Sequence, residues 1–423
     1  MKAKLNVLLA GRHVGIIEQL NNGGLSFTYD QGYAGIPLSL SMPLSKKSYG
    51  DKTVRPFIQG LLPDSVDVRR ALGAKFGVSG RNPFELLSII GIDCPGAVQI
   101  CSDESMDSIL EQDCKLVPID EDMIASRLRG EGNHGSNSWL VDHERWSLGG
   151  AQSKFALRKE GKKWFSCEGG VATTHIIKPS AHGLRDEAFN ECFCLQLAQR
   201  CGIPASKASY TDFAGEKAIV IERFDRVRNK DGQVVRLHQE DFCQALSVEP
   251  DMKYTEDGGP AANRVISVLK QTGDATRINI ALFLKMLYFN YLVGAPDAHA
   301  KNYSLLIGHN GAYLAPLYDV ATMIPYTDRP FDIKLAMGIA GENRVCRLSS
   351  RRLVRFIEAN TLVDYDIDAQ EQIEELAFLA QSIPGMACDI ASEYAKQAEL
   401  TEFFERTLPV LEEMCKRSMA RLG

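Results

Sequence analysis

Between Gly294 and Asp319 the chain reads Gly-Ala-Pro-Asp-Ala-His-Ala-Lys-Asn and, after a strand-like stretch, Leu-Tyr-Asp. The carboxylate Asp297 stands five residues before the carboxamide Asn302. A kinase catalytic loop places its base and a magnesium ligand at that spacing. Asp319 supplies a second carboxylate for the metal. Mg2+ takes hard oxygen ligands, usually one or two from protein and the rest from phosphate and water, so Asn302 plus Asp319 is a sufficient grip. The runs Tyr303 to Ile307 and Ala312 to Leu317 flank Gly308-His309-Asn310-Gly311, a hairpin signal that would return Asp319 to Asn302. The spacing alone is equally that of a turn after an apolar helix. The other parts of a nucleotide site must come from elsewhere in the chain.

Three stretches supply candidates. Ser147-Leu148-Gly149-Gly150-Ala151-Gln152-Ser153-Lys154 leads into a strand at Phe155, and its small residues would let backbone N–H groups cradle phosphate. It matches neither a Walker loop nor the glycine-rich loop of ordinary protein kinases. Thr173 to Lys178 reads as a strand ending on a lysine, as the strand carrying the phosphate-pairing lysine of a kinase does. The helix pattern Leu184 to Arg200 puts Glu191 on an apolar stripe, where Lys178 is a candidate partner and water the alternative. The apolar run Ala218 to Ile221 leaves through Glu222-Arg223-Phe224-Asp225, which reads as a buried strand followed by a hinge.

The elements that must position these groups read as an α+β chain. Strand-like runs at Leu5 to Leu9, Val14 to Ile17, Leu25 to Tyr29 and Pro37 to Ser41 open it, and Asn82-Pro83 starts a helix. Ser102 to Asp107 reads as a boundary and Gly130 to Ser138 as a linker. The second half is helical at Ala261 to Lys270, Asn279 to Val293, Leu353 to Glu358, Ala369 to Gln381 and Thr401 to Met419. The expected division is an N-terminal α/β subdomain over 1–135, a nucleotide-binding lobe over 136–246 and a helical lobe with the catalytic loop over 247–423.

With 423 residues and ordinary apolar and charged fractions, the chain has the composition of a globular protein. The formal charge of -6 gives no global attraction to nucleic acid or membrane. Arg347, Arg351, Arg352 and Arg355 form a local basic cluster that reads as a solvated face and is the best local candidate for a phosphate or acidic-partner contact. Eleven cysteines without a Cys-x-x-Cys pair imply neither a disulfide framework nor zinc, Cys192 and Cys194 read as core thiols, and Ile278 to Ala295 reads as a buried helix. No leader-like segment opens the sequence, and the expected compartment is the cytoplasm.

Taken with Leu61-Leu62-Pro63-Asp64-Ser65, Pro83-Phe84-Glu85-Leu86-Leu87, Gln239-Glu240-Asp241, Asp257-Gly258-Gly259-Pro260 and Lys334-Leu335-Ala336-Met337-Gly338, these blocks resemble, over essentially the whole chain, the HipA family of toxin kinases. The resemblance implies an α+β, two-lobed serine/threonine-protein kinase with an N-terminal subdomain, using ATP and Mg2+. It implies Asp297 as catalytic base, Asn302 and Asp319 as metal ligands, and Lys178 on the ATP phosphates. It further implies Glu222, Arg223 and Phe224 as the adenine hinge, and Gly149, Gly150, Ala151, Gln152, Ser153 and Lys154 as the phosphate loop. Gln239, His299, Lys301 and Tyr318 fall beside the nucleotide. Ser147 stands where the family carries an autophosphorylated, inactivating serine, although Ser153 replaces a glutamate in that loop. Pro296 and Ala298 also depart from the best-known member. The implied partners are a HipB-like DNA-binding antitoxin, operator DNA reached through it, and a protein substrate such as glutamyl-tRNA synthetase. A nucleotide-binding scaffold and a small-molecule phosphotransferase are the rival readings.

Overall fold

The structure, a computed structural model, describes residues 3–110, 115–130, 144–150, 152–180 and 183–422. Two compact units emerge. The first comprises Met1–Pro179, Tyr210–Asp251 and Leu305–Asn310, and the second Ser180–Ser209, Met252–Ser304 and Gly311–Gly423. Helices and sheets are mixed throughout, giving the expected α+β class. The expected division after residue 135 falls outside the described residues.

In the first unit, a five-stranded antiparallel sheet runs in the order Ser48–Gly50, Leu25–Tyr29, Arg12–Gln19, Ala3–Leu9, Val98–Cys101. A second sheet sets Glu216–Glu222, His175–Pro179, Phe155–Glu160, Lys163–Glu168 and Lys115–Ile119 side by side. One apolar cluster joins both, from Val7 and Phe27 through Phe57 and Leu61 to Phe155 and Ile177. The helix Pro83–Ile90 starts as its sequence requires: the Asn82 side chain accepts from Phe84 N, and Pro83 spends no N–H.

Two segments differ from their expectation. Residues 37 to 41 form no strand, because their backbone serves other groups: Leu38 N donates to the Tyr29 hydroxyl and Leu40 N to Glu240. The acidic stretch after Ser102 opens the helix Asp103–Leu110, where Asp103 and Glu104 in the first turn suit the positive end of the helix dipole.

The second unit is built around the helix Thr276–Val293, buried on nearly every side as its apolar sequence demands. Gly294 ends it in the left-handed conformation, φ +64°, with its N–H bonded to Asn290 O. Ala369–Glu393 runs on past Gln381 and through Pro384, because Ile383, Ala387 and Ile390 continue the buried stripe. Thr401–Met419 packs against it. Among the described residues, no helix is long and apolar enough to cross a membrane.

Candidate active site

In the second unit the helix cap at Gly294 turns the chain directly into the Asp297 loop. Pro296 O accepts from Ala336 N at 2.8 Å, which anchors the loop to the strand Lys334–Ile339. The Asp297 carbonyl accepts from His299 N at 2.8 Å and from Asn302 Nδ2 at 2.6 Å. Asn302 Nδ2 also reaches Asp319 O at 3.3 Å. With its nitrogen committed to two backbone carbonyls, the amide has Oδ1 left as the atom that could meet a cation. The return of the chain is real: Ala315 N donates to Ser304 O at 2.8 Å, and the Tyr318 hydroxyl bonds Lys301 O and Ser304 Oγ, both at 2.6 Å.

Asp297, Asn302 and Asp319 therefore line one pocket, backed by Asn290 and Tyr303. Asp319 sits at φ +55°, a conformation that strains a residue with a Cβ and that persists only where surroundings impose it. Three residues on, Thr322 bonds Asn190 through both its N–H and its carbonyl. Among the described residues, no group of three or more His, Cys, Asp or Glu could hold a metal. An amide oxygen and a carboxylate are nevertheless the hard donors that fit Mg2+ arriving with phosphate.

Beside them, His299 and Lys301 are buried, whereas the Asp297 side chain is 62% exposed. Burial pushes the His299 pKa down, outweighing the nearby Asp297 carboxylate. The Tyr254 hydroxyl donates to Asp297 Oδ1 at 2.8 Å, a contact that no motif announced.

In the first unit the predicted phosphate loop is held by the Leu61 to Asp64 segment. Ser147 Oγ, on a residue only 1% exposed, donates to Leu61 O at 2.6 Å, and Asp64 N donates to Gly150 O at 3.0 Å. Gly150 adopts φ +98°, which favours glycine, and Lys154 Nζ closes the loop on Gly149 O at 2.9 Å. Gln152 Nε2 reaches Pro179 O at 3.2 Å, and Ser153 is half-buried. Ala151 lies outside the described residues. The loop leads into Phe155–Glu160, which pairs with His175–Pro179, and Lys178 on that strand is buried. Glu191, its candidate partner, is buried in the second unit.

At the expected hinge, Glu222 is exposed and Phe224 half-buried, but the Arg223 side chain turns inward. It bonds Asp225, Asp93, Thr173 and Cys94 O. Any adenine contact at that position is thus left to the backbone. Asp93 also receives Arg226 at 2.9 Å and Arg236 at 3.0 Å. Burial would raise the Asp93 carboxyl, yet the Arg226, Arg223 and Arg236 guanidiniums hold it well below the usual carboxylate range. The same residue's backbone carbonyl accepts from Ser147 N at 3.0 Å. Gln239 is half-buried and donates to Asp225 at 3.2 Å. Sequence reasoning missed Asp93 and Tyr254, although the noted Asp257 to Pro260 block lies just beyond Tyr254.

Known proteins resemble the chain along most of its length. The HipA N-terminal domain matches residues 5–101 and the HipA-like C-terminal domain residues 146–407. A putative kinase of Sinorhizobium fredii, Y4mE, is 34% identical over 79% of this chain and 80% of its own. The serine/threonine-protein kinase toxin HipA of Shewanella oneidensis is 29% identical over 78% of this chain and 77% of its own. A solved complex of Shewanella oneidensis HipA with HipB and operator DNA matches 99% of this chain and 96% of the other, with a TM-score of 0.80 at 25% identity. Two family domains in order and one fold along the full length make this chain a member of the HipA family.

Proposed function

We propose that this chain is an ATP-dependent serine/threonine-protein kinase and the toxin of a type II toxin–antitoxin module. The observation that carries the reading is the convergence of Asp297, Asn302 and Asp319 on one pocket, with Asn302 bonded to the backbone of both carboxylate residues. Asp297 takes the proton of the acceptor hydroxyl as its oxygen bonds to the γ-phosphorus and ADP leaves. Asn302 and Asp319 would hold Mg2+, which when bound neutralises charge on the phosphates. Lys178 and the Gly149 to Lys154 loop take the phosphate-side roles, Glu222 to Phe224 the adenine edge through backbone, with Gln239, His299, Lys301 and Tyr318 as further nucleotide neighbours.

The relative solved with HipB and operator DNA supports a HipB-like antitoxin as partner, with DNA reached through it. The proposed substrate is a translation-related protein of the cytoplasm, glutamyl-tRNA synthetase being the first to test. Ser147 is the proposed inactivating autophosphorylation site. Because its hydroxyl is bonded to Leu61 O and shielded, phosphorylation requires the loop to open, and about two added negative charges then prevent its return. The test is incubation of purified protein with radiolabelled ATP, Mg2+ and cell extract. Phosphoserine or phosphothreonine on a discrete protein, absent with Asp297→Asn, is the expected result. A phosphorylated metabolite with no labelled protein would overturn it.

A further inference from the structure

The block Asp257-Gly258-Gly259-Pro260 takes no part in the transfer described above, yet it closes tightly around Tyr254. Gly258, at φ +89°, donates its N–H to Thr255 O at 3.1 Å, and Gly259 N donates to Tyr254 O at 2.9 Å. Thr255 Oγ1 completes the ring on Pro260 O at 3.2 Å. A Cβ on Gly259 would collide with Met252 O and come within 2.7 Å of Tyr254 O, so only glycine lets the loop close. The outcome of this construction is a fixed backbone at Tyr254.

From that backbone the side chain reaches the base. The Tyr254 ring meets the buried His299 ring edge to face, with centroids 5.0 Å apart, and its hydroxyl donates to Asp297 Oδ1 at 2.8 Å. The bonds inside the catalytic loop use the backbone carbonyl of Asp297. Its carboxylate, on a largely exposed side chain, is reached by Tyr254 and, at 3.9 Å, by His299 Nε2. An exposed carboxylate otherwise turns freely about its terminal torsion.

We propose that Tyr254 is a positioning residue for the catalytic base, its hydroxyl holding Asp297 Oδ1 so that Oδ2 faces the acceptor hydroxyl. The proposal rests on the kinase reading and deepens it, giving the Asp257 to Pro260 block its role: a clamp that aims one phenol.

Tyr254→Phe keeps the ring on His299 and removes the hydroxyl alone. The expected result is a kcat lower by roughly 10- to 100-fold, with the KM for ATP and the melting temperature unchanged. A merely structural tyrosine would move the melting temperature instead. Gly259→Ala, which forces the clamp open, is expected to lower kcat alongside it. Crystal structures of the parent and Tyr254→Phe give a readout independent of activity: the Asp297 carboxylate is expected to rotate or to spread over several orientations. An unchanged kcat or an unchanged carboxylate overturns the proposal. A rise in kcat/KM for the acceptor also overturns it, by showing that the phenol occupies the acceptor's place. If the parent itself transfers no phosphate, the kinase reading falls, and the carboxylate comparison decides the role of Tyr254 alone.

Discussion

The proposed catalytic loop and the proposed phosphate loop solve the same problem, holding short irregular backbone in place, by different means. The Asp297 to Asn302 loop is braced first from within, by Asn302 on Asp297, and then by residues that follow it, Tyr318 on Lys301 and Ala336 on Pro296, while the adjoining helix ends in a left-handed glycine. Among the described residues, the Ser147 to Lys154 loop is tied within itself by Lys154 on Gly149, leans on Leu61, Asp64 and Asp93 from far earlier in the chain, and reaches Pro179 after it through Gln152. A self-braced loop keeps its geometry under local change. A loop braced by a distant segment inherits the state of that segment, which suits the proposed role of holding phosphate and being released.

The sharpest test of the catalytic side is Asp297→Asn or Asp319→Asn. Each is expected to lower phosphotransfer by about 100- to 10,000-fold with an unchanged melting temperature. A parallel loss of stability would show that the loop is not self-braced.

On the phosphate side, Asp93→Ala should act through folding. It leaves the buried Arg223 and Arg226 and the part-buried Arg236 without their shared carboxylate, and urea denaturation should register a loss of about 3–5 kcal/mol. If stability holds while ATP affinity falls, the network serves the loop and not the core.

Gly150→Ala is the milder probe. Its positive φ and the Lys154 Nζ, 2.5 Å from a Cβ there, predict roughly tenfold weaker binding of a fluorescent ATP analogue, with little change in kcat at saturation.

The smallest effect is a pH dependence. Burial pushes Glu240 up to about 8 despite its bonds from Ser39 and Leu40, so between 4.5 and 8 the folded chain binds the extra proton and stability falls as pH rises. Burial also pushes His238 and His175 down to about 4; between 4 and 6.5 the unfolded chain binds those protons and stability rises with pH. A maximum near pH 6.5 follows, and Glu240→Gln should flatten the alkaline side, removing a slope of roughly 1.4 kcal/mol per pH unit at most. Chemical denaturation from pH 5 to 8.5 reads both arms.

Residues adjacent in sequence were the most legible. The spacing of Asp297 and Asn302, the helix ahead of them and the hairpin signal that returns Asp319 each depend on local torsions and short-range bonds. The hinge was legible as a strand exit, but the inward turn of Arg223 was not, because its partner Asp93 lies 130 residues away. Residues 37 to 41 read as a strand because their apolar alternation fits one; the buried Glu240 claims their backbone instead.

By itself the sequence determined the chemistry on offer: a carboxylate, an amide and a second carboxylate at spacings that local backbone geometry converts into a loop and a return. Tertiary structure alone decided what each group faces. Asp93 among three guanidiniums, Ser147 against Leu61 O and Tyr254 on Asp297 are long-range pairings fixed by burial and close packing, where a side chain's environment comes from residues that periodicity and spacing do not connect.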